Sequence, residues 1–327
     1  MIRFENVSKR YSKNHAALSD FNLEIMEGET VVFLGKSGSG KTTALKLINR
    51  LITPSDGRVL VRGEDVCKQD VVSLRRSIGY AVQDVALFPH MNVEDNIAVV
   101  PNLLKWDKKK IDRRVDELLE MLGMCPRTFR KRYPSSLSGG QRQRVGVARA
   151  LAADPPIILM DEPFGALDPI TREQIQNEFL ELSKKLKKTI VFVTHDLYEA
   201  VTIGDRIALL DQGKLIQISS SQEFVENPPD AFSDEFLGKH RFQLSLMTKT
   251  IDECFDDAKK NSLSASLKLS PSTSLLEALA LFKEENAKAL PVYSGSSFKG
   301  ELMKEKLLDE IVKQLTQSPA DNETTLI

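Results

Sequence analysis

The sequence predicts an α/β protein with a parallel sheet, an antiparallel β part, an inserted helical subdomain and a small C-terminal α/β unit. Two observations predict this class. Short strand-like segments alternate with helical ones, and some of the strands are apolar at every position, as in a sheet buried on both faces. The 327 residues also exceed the usual size of one domain, so a large domain with a smaller appendage is expected.

Composition excludes several classes of protein. A hydrophobic share of 41% and a charged share of 28% are those of an ordinary globular protein, and the net charge of -1 argues against nucleic acid as the main partner. Cys67, Cys125 and Cys254 form no CxxC pair, so neither zinc nor a disulfide framework is predicted, and a reducing cytoplasm fits. No apolar run approaches the roughly 20 residues that cross a bilayer, and residues 1–13 are too polar for a signal peptide.

The first third of the chain predicts strands at residues 2–7, 23–26, 31–34 and 58–61. Residues 31–34 lack polar alternation, which indicates a buried parallel strand, and a helix is expected to start near Lys41. Helical spacing then dominates from about residue 84 to residue 138, and the apolar positions that recur there are Ile111, Val115, Leu118, Leu119 and Leu122.

Alternation of strands and helices resumes at residue 157. Strands are predicted at 157–160 and 189–193, separated by a helix that Asp168 caps and Pro169 begins. Later, Ser220 and Ser274 each precede a glutamate by three residues, which predicts two more helix starts. The loop at 227–230 marks the end of the main domain, and short strands are predicted at 290–293 and 300–303.

Residues 35–42 carry a phosphate-binding pattern between a strand and a helix: Gly35, Lys36, Ser37, Gly38, Ser39, Gly40, Lys41 and Thr42. The glycines let backbone N–H groups converge on phosphate oxygens at a helix N-terminus. Lys41 is expected to reach the β- and γ-phosphates, and the Thr42 hydroxyl to ligate Mg²⁺. The alternative is a glycine-rich turn with a chance lysine, which the strand–loop–helix context disfavours.

Two more strand ends carry candidate chemistry. Asp161 and Glu162 follow the apolar run at 157–160; Asp161 is expected to hold Mg²⁺ and Glu162 to polarise the attacking water, although either acid alone fits a cap or turn. His195 follows the strand predicted at 189–193. By position alone, a structural and a catalytic histidine are equally good interpretations.

With Leu137-Ser138-Gly139-Gly140-Gln141, the chain resembles the nucleotide-binding subunits of ABC transporters over residues 1 to about 238. The resemblance implies a P-loop NTPase (ABC ATPase) core that uses ATP and Mg²⁺. The implied domains are an ATP-binding domain at 1–238, with a helical subdomain at about 84–150, and a C-terminal regulatory region at 239–327. The latter resembles a single CBS unit at about 262–315.

The resemblance also implies roles for individual residues. His195 matches the residue that contacts the γ-phosphate, and Gln83 matches the glutamine that contacts Mg²⁺ and water. The Mg²⁺ ligands are then Thr42, Gln83 and Asp161, and the catalytic residues Glu162, His195 and Gln83. The ATP contacts are Tyr11, which stacks on adenine, and Gly35, Lys36, Ser37, Gly38, Ser39, Gly40, Lys41, Thr42 and Thr43.

Five residues are expected to serve the opposite subunit of a head-to-tail homodimer: Ser138, Gly139, Gly140, Gln141 and Asp168. One chain alone would therefore not complete a site. Gly165 stands where the family commonly has serine, which puts one side-chain contact in question but not the catalytic acid. Since all the hydrolytic residues are present, two competent sites per homodimer are predicted.

Residues 83–93 resemble importer ATPases, in which this neighbourhood docks the permease; a packed loop is the alternative, and both can hold. Residues 165–172 and the C-terminal region resemble the glycine betaine, carnitine and choline uptake ATPases. The expected partners are membrane permease subunits and, indirectly, an extracytoplasmic substrate-binding protein, with the chain peripheral at the cytoplasmic face and no nucleic acid bound.

Alternatives stay open for the solute and for the C-terminal unit. Import of another small solute and a soluble non-transport ABC ATPase are the rival functions; the latter commonly carries a coiled-coil insertion or a second cassette, and this sequence shows neither. In the CBS-like unit, Met303 and Lys306 replace the Ser/Thr and Asp of nucleotide-binding units. The unit is as consistent with a dimerisation or spacer role as with a sensor.

Overall fold

The computed structural model describes residues 1–12, 15–82, 86–165, 167–168, 171–172, 174–176, 178–180, 187–252, 254–257 and 267–317. The chain divides into two compact units, Met1–Ile218 and Ser219–Ile327. The domain boundary expected at residue 238 and the helical subdomain at about 84–150 stay predictions. Among the described residues, no helix combines the length and the apolar character needed to span a membrane.

The first unit contains an antiparallel sheet of four strands in the order β2-β1-β4-β5. Their bounds are β1 (Ile2–Ser12), β2 (His15–Ile25), β4 (Asp56–Val61) and β5 (Glu64–Asp65). Both β1 and β2 are longer than predicted. Asn6 and Asp20 have left-handed φ angles of 49° and 47°, and the β1–β2 register shifts four times. Because such shifts break the alternation of buried and exposed residues, the full strands escaped sequence analysis.

A six-stranded sheet forms the centre of this unit, in the order β10-β9-β3-β8-β7-β6. Its strands are β3 (Thr30–Leu34), β6 (Ile78–Ala81), β7 (Ile157–Asp161), β8 (Thr189–Thr194), β9 (Arg206–Asp211) and β10 (Lys214–Ser220). The five strands from β9 to β6 run parallel, and β3, β7 and β8 are buried at every position, as predicted. Their carboxyl ends therefore meet at one edge.

Seven helices of the first unit have defined bounds: α1 (Lys41–Ile48), α2 (Val71–Arg76), α3 (Val93–Leu103), α4 (Lys108–Met121), α5 (Pro126–Phe129), α6 (Gly139–Leu151) and α7 (Leu197–Ile203). The described residues between 171 and 180 are also helical. The predicted apolar stripe of α4 is buried. Residues 134–136 form a short 3-10 turn before α6.

Aromatic side chains connect the layers of the first unit. Phe21 lies between Phe4 and Phe33, with ring centroids 5.1 and 6.2 Å away, and so joins the antiparallel sheet to β3. Phe179, one of the helical residues described between 171 and 180, packs on Phe192 of β8 with the ring centroids 6.3 Å apart. Since close packing of buried rings leaves little freedom, both contacts fix the surroundings of the strand ends.

Among its described residues, the second unit contains five α-helices and a three-stranded sheet in the order β11-β13-β12. The helices are α8 (Ser221–Glu226), α9 (Ala231–Leu237), α10 (Arg241–Thr248), α11 (Leu275–Glu285) and α12 (Lys304–Gln317), and the strands are β11 (Asp256–Asp257), β12 (Ala289–Ser294) and β13 (Ser297–Met303). Ser220 and Ser274 cap α8 and α11, as predicted. Leu275, Phe282 and Val292 lie in a core of its own.

Candidate active site

The loop between β3 and α1 brings the chain to a helix start at Gly40. Gly40 has a φ of 104°, and no side chain hydrogen-bonds to the cap of α1. A Cβ at this position would lie 2.5 Å from the carbonyl oxygen of Ala17, so only glycine fits. The first turn of α1 therefore points backbone N–H groups out of the helix end, where an anion accepts them.

Lys41 is buried beneath this loop. Its Nζ donates hydrogen bonds to the carbonyl oxygens of Gly35 at 2.8 Å and Lys36 at 2.9 Å. Burial lowers the pKa of Lys41, and the charges of Glu162 and Asp161 oppose that shift. The loop thus holds a cation among donors suited to phosphate, and a Cβ built on Gly38 meets no described atom within 4 Å, which leaves room for the ligand.

Thr42 and Asp161 supply adjacent oxygen atoms. The Thr42 hydroxyl donates to Asp161 Oδ1 at 2.9 Å, and this hydrogen bond links the first turn of α1 to the end of β7. Burial raises the pKa of Asp161, while the Thr42 hydrogen bond and nearby lysines lower it. A hydroxyl and a carboxylate oxygen side by side fit Mg²⁺, which prefers oxygen ligands. Gln83, the third predicted ligand, lies outside the described residues.

Glu162 and His195 meet where the neighbouring strands β7 and β8 end. His195 Nδ1 lies 3.3 Å from Glu162 Oε1, and the Glu162 side chain is 21% exposed. Glu162 has a left-handed φ of 45°, and its N–H donates to the carbonyl oxygen of Val193 at 3.0 Å. A non-glycine residue held in this region is strained, which is common where a side chain must be aimed at a ligand.

The other predicted ATP contacts lie on both sides of this loop. Lys36 and Ser37 are exposed, Ser39 is buried, and Thr43 is half-buried in α1. Tyr11 is 59% exposed near the end of β1, and the Lys9 ammonium lies 5.3 Å from its ring centroid. An exposed aromatic ring suits stacking on a purine, but the role of Tyr11 stays a prediction.

The signature residues lie at the start of α6. The Ser138 hydroxyl accepts from Gln141 N–H at 3.2 Å, and Gln141 Oε1 accepts from Ser138 N–H at 3.0 Å. Nearby, Asp168 Oδ1 accepts from Thr171 N–H at 3.1 Å, and a Cβ on Gly140 would lie 2.7 Å from Thr171 Cγ2. The structure thus brings the signature next to the loop of Asp168; their roles across a dimer stay predictions.

Comparisons with known proteins agree with this arrangement. The ABC transporter family profile matches residues 18–165. The osmoprotectant import ATP-binding protein OsmV of Salmonella typhimurium is 45% identical to this chain over 296 residues, which are 89% of this chain and 76% of that protein. The chain belongs to the ABC transporter ATP-binding proteins.

Other ABC proteins are similar over different lengths. The glycine betaine uptake system ATP-binding protein YehX of Escherichia coli is 43% identical over 89% of this chain and 94% of its own length. The choline transport ATP-binding protein OpuBA of Bacillus subtilis is 53% identical over 241 residues. These residues are 74% of this chain and 63% of that protein.

A solved dimeric structure of the ATP-binding cassette MJ0796, bound to ADP and Pi after hydrolysis, is also similar. It is 37% identical to this chain with a TM-score of 0.61, and the alignment covers 67% of this chain and 98% of the cassette.

Two groups of this ABC ATPase site escaped sequence analysis. The first is Tyr80, which hydrogen-bonds to Asp161; burial and this carboxylate raise the pKa of Tyr80. The second is Lys46, whose charge favours the ionised form of Asp161. Tyr80 lies on β6, and its closeness to Asp161 follows from the pairing of β6 with β7, which no sequence pattern indicates.

Proposed function

We propose that this chain is the ATP-hydrolysing subunit of an ABC importer that drives uptake of glycine betaine, carnitine or choline-type osmoprotectants through a separate membrane permease. The hydrolytic part rests on one observation: the Thr42–Asp161 pair and the Glu162–His195 pair lie at the ends of adjacent strands. The names of OsmV, YehX and OpuBA support the class of solute.

ATP binds with its phosphates on the loop from Gly35 to Gly40 and at the N-terminus of α1, with Lys41 as the cation. Tyr11 stacks on the adenine ring. Thr42, Asp161 and Gln83 hold Mg²⁺, which when bound neutralises phosphate charge. The short Thr42–Asp161 contact supports this ligand set, since both oxygens are already placed side by side.

Hydrolysis requires a water molecule in line with the bond between the γ-phosphorus and the bridging oxygen. Glu162 accepts a proton from that water as its oxygen attacks the phosphorus, and the products are ADP and phosphate. His195 contacts the γ-phosphate and keeps Glu162 oriented through the 3.3 Å approach of its Nδ1. The proton acceptor and one contact to the γ-phosphate are thus assigned to two side chains that lie at neighbouring strand ends.

A second copy of the chain completes each site head to tail. Ser138, Gly139, Gly140, Gln141 and Asp168 of one copy serve the ATP of the other, and a homodimer has two competent sites. The dimeric state of MJ0796, with ADP and Pi bound, supports this arrangement. The permease docks at the segment 83–93 on the cytoplasmic face of the membrane, and a substrate-binding protein delivers the solute to it.

Substitution of Glu162 tests hydrolysis. Glu162→Gln keeps size and hydrogen bonding but removes the base, so turnover falls by at least ~100-fold while ATP binding is retained. Glu117→Gln is the matched control, since Glu117 is an exposed helical carboxylate paired with Arg114. Phosphate release and binding of a fluorescent ATP analogue are measured for each variant. Turnover of Glu162→Gln within tenfold of the parent would contradict the assignment.

Uptake of labelled glycine betaine, carnitine and choline after a salt upshift tests the solute. Cells that lack this chain but keep its permease are complemented with the parent or with Glu162→Gln. Uptake restored by the parent alone supports osmoprotectant import. Unchanged uptake of all three solutes, with ATPase activity intact, would favour import of another small solute by the same ATPase.

We also propose that residues 239–327 form a regulatory region with one CBS-like unit at about 262–315. Support comes from the order of its elements: Leu269 bridges to Val292 in parallel, α11 follows, then the β12–β13 hairpin and α12. Val292→Asp buries a charge in its core, and uptake should then stop responding to external salt. A salt response equal to that of the parent would contradict a regulatory role.

A further inference from the structure

A buried carboxylate lies one helical turn beyond His195. Glu199, in α7, is 6% exposed, and both of its oxygens accept hydrogen bonds. Oε2 accepts from the Thr194 hydroxyl at 2.5 Å, and Oε1 accepts from Gln176 Nε2 at 2.8 Å. A buried carboxylate is costly unless it is fully paired, so this position is not explained by packing alone.

The Thr194 hydroxyl joins the two sides of His195. It accepts from the N–H of Asp196 at 3.0 Å and donates its only proton to Glu199. The Asp196 carboxylate in turn accepts from the N–H groups of Tyr198 at 2.8 Å and Glu199 at 3.2 Å at the start of α7. The turn of His195 is therefore tied to the Glu199 carboxylate through the Thr194 hydroxyl.

Gln176 connects the same carboxylate to the loop of Asp168. Gln176 lies among the helical residues described between 171 and 180, and Thr171 of the same stretch donates its N–H to Asp168 Oδ1. Arg172 donates to the carbonyl oxygen of Leu167 at 3.0 Å, and its guanidinium lies 4.0 Å from Asp196 Oδ2. The described residues of this stretch therefore contact both the loop of Asp168, through Thr171 and Arg172, and the turn of His195, through Gln176 and Arg172.

We propose that Glu199 is a positioning residue that holds the His195 turn against the segment 171–180 and so makes the placement of His195 depend on the Asp168 loop. The inference rests on the role assigned to His195 under the proposed function. Burial and the nearby Asp196 raise the pKa of Glu199, which is a cost that an apolar residue would avoid. Because Asp168 is expected to face the second copy, closure of the dimer reaches His195 by this route.

Three variants separate positioning from bulk structure. Glu199→Ala removes both acceptors, so kcat falls by about 10- to 100-fold while KM for MgATP changes little, because Lys41 and the loop are untouched. Gln176→Leu removes only the link to the segment 171–180 and gives a smaller fall in kcat. In Glu199→Gln, the new amide oxygen still accepts from the Thr194 hydroxyl. The Gln176 amide rotates by half a turn and accepts from the new amide nitrogen, so this variant keeps most of the activity. A fall with Glu199→Gln equal to that with Glu199→Ala would overturn the proposal.

The deciding measurement is made in a His195→Ala background, with thermal denaturation of each variant to establish that it is folded. If Glu199 acts through His195, adding Glu199→Ala to His195→Ala leaves kcat unchanged. A further fall in kcat of tenfold or more, in folded protein, would overturn the proposal while His195 keeps its role. If His195→Ala alone retains parental turnover, the assignment of His195 fails and the inference fails with it. If Glu199→Ala does not fold, Gln176→Leu carries the same comparison.

Discussion

Two helix N-termini of this ABC ATPase are predicted to face phosphate, and they are capped in opposite ways. The start of α1 has glycine at the cap in a left-handed conformation and no side-chain hydrogen bond. The start of α6 has a reciprocal capping box between Ser138 and Gln141. The first end leaves backbone donors for a ligand, whereas the second satisfies part of its own backbone.

This difference indicates how much of the site each helix supplies. The α1 loop brings backbone donors, a buried lysine and a predicted magnesium ligand from a single chain. At α6, the Ser138 hydroxyl serves as an acceptor within its own helix and keeps one proton to donate. Gln141 is used to hold Ser138 in place. The capping box therefore gives the signature end a defined shape within one chain, and we predict that it offers few, fixed contacts to a partner.

The largest expected effect comes from breaking the α1 end. In Gly40→Ala, the added Cβ meets the Ala17 carbonyl at 2.5 Å and the φ of 104° is unfavourable, so unfolding free energy falls by roughly 2–5 kcal/mol and ATP binding is lost. Denaturant unfolding and nucleotide binding measure both. Gly63→Ala is the control, since Gly63 has a φ of 80° with no neighbour within 4 Å. Equal losses in the two variants would show that the close approach at Gly40 is irrelevant.

The two signature glycines should differ from each other. Gly140→Ala drives a methyl group to 2.7 Å from Thr171 Cγ2 and should lower unfolding free energy by about 1–3 kcal/mol, whereas Gly139 has no described neighbour within 4 Å. Gly139→Ala should leave the monomer stable and weaken only ATP-dependent dimerisation. Unfolding curves and sedimentation with ATP in a Glu162→Gln background measure the two effects. A stable Gly140→Ala, or a Gly139→Ala that dimerises normally, would contradict the comparison.

The smallest effect should come from the capping box. Gln141→Ala removes the acceptor for Ser138 N–H and should cost about 0.5–2 kcal/mol of unfolding free energy in nucleotide-free protein. Gln141→Glu keeps an oxygen at that place and should retain parental stability. Thermal unfolding distinguishes them. Should both variants be as stable as the parent, the reciprocal cap would have no part in setting the signature end.

Sequence reasoning was most accurate where one local rule decides the structure. The strands β3, β7 and β8 are apolar at every interior position, and the caps Ser220 and Ser274 each precede a glutamate by three residues, so each was predicted from adjacent residues. The β1–β2 pair was underestimated because its register shifts are set by the partner strand. The P-loop lies between its strand and helix as predicted, and comparisons with known proteins confirmed the family.

Contacts between distant segments could not be predicted. Tyr80 and Asp161 are 81 positions apart in the chain, and Glu199 meets Gln176 from another helix. No spacing pattern encodes such pairs, since they depend on the order of strands in the sheet. Glu199 is an acid in the first turn of α7, and its burial, which a single sequence does not show, is what sets it apart.

The C-terminal end of α6 contacts two other segments of the chain. A Cβ on Gly79 of β6 would lie 2.3 Å from the Ala150 carbonyl, and Arg149 donates to the Ala86 carbonyl at 2.7 Å. The helix is thus clamped at its last turn beside the segment predicted to meet the permease, about 20 Å from the signature. Because α6 is one continuous helix from Gly139 to Leu151, we expect a tilt imposed at Ser138 to move the Arg149–Ala86 contact at its other end.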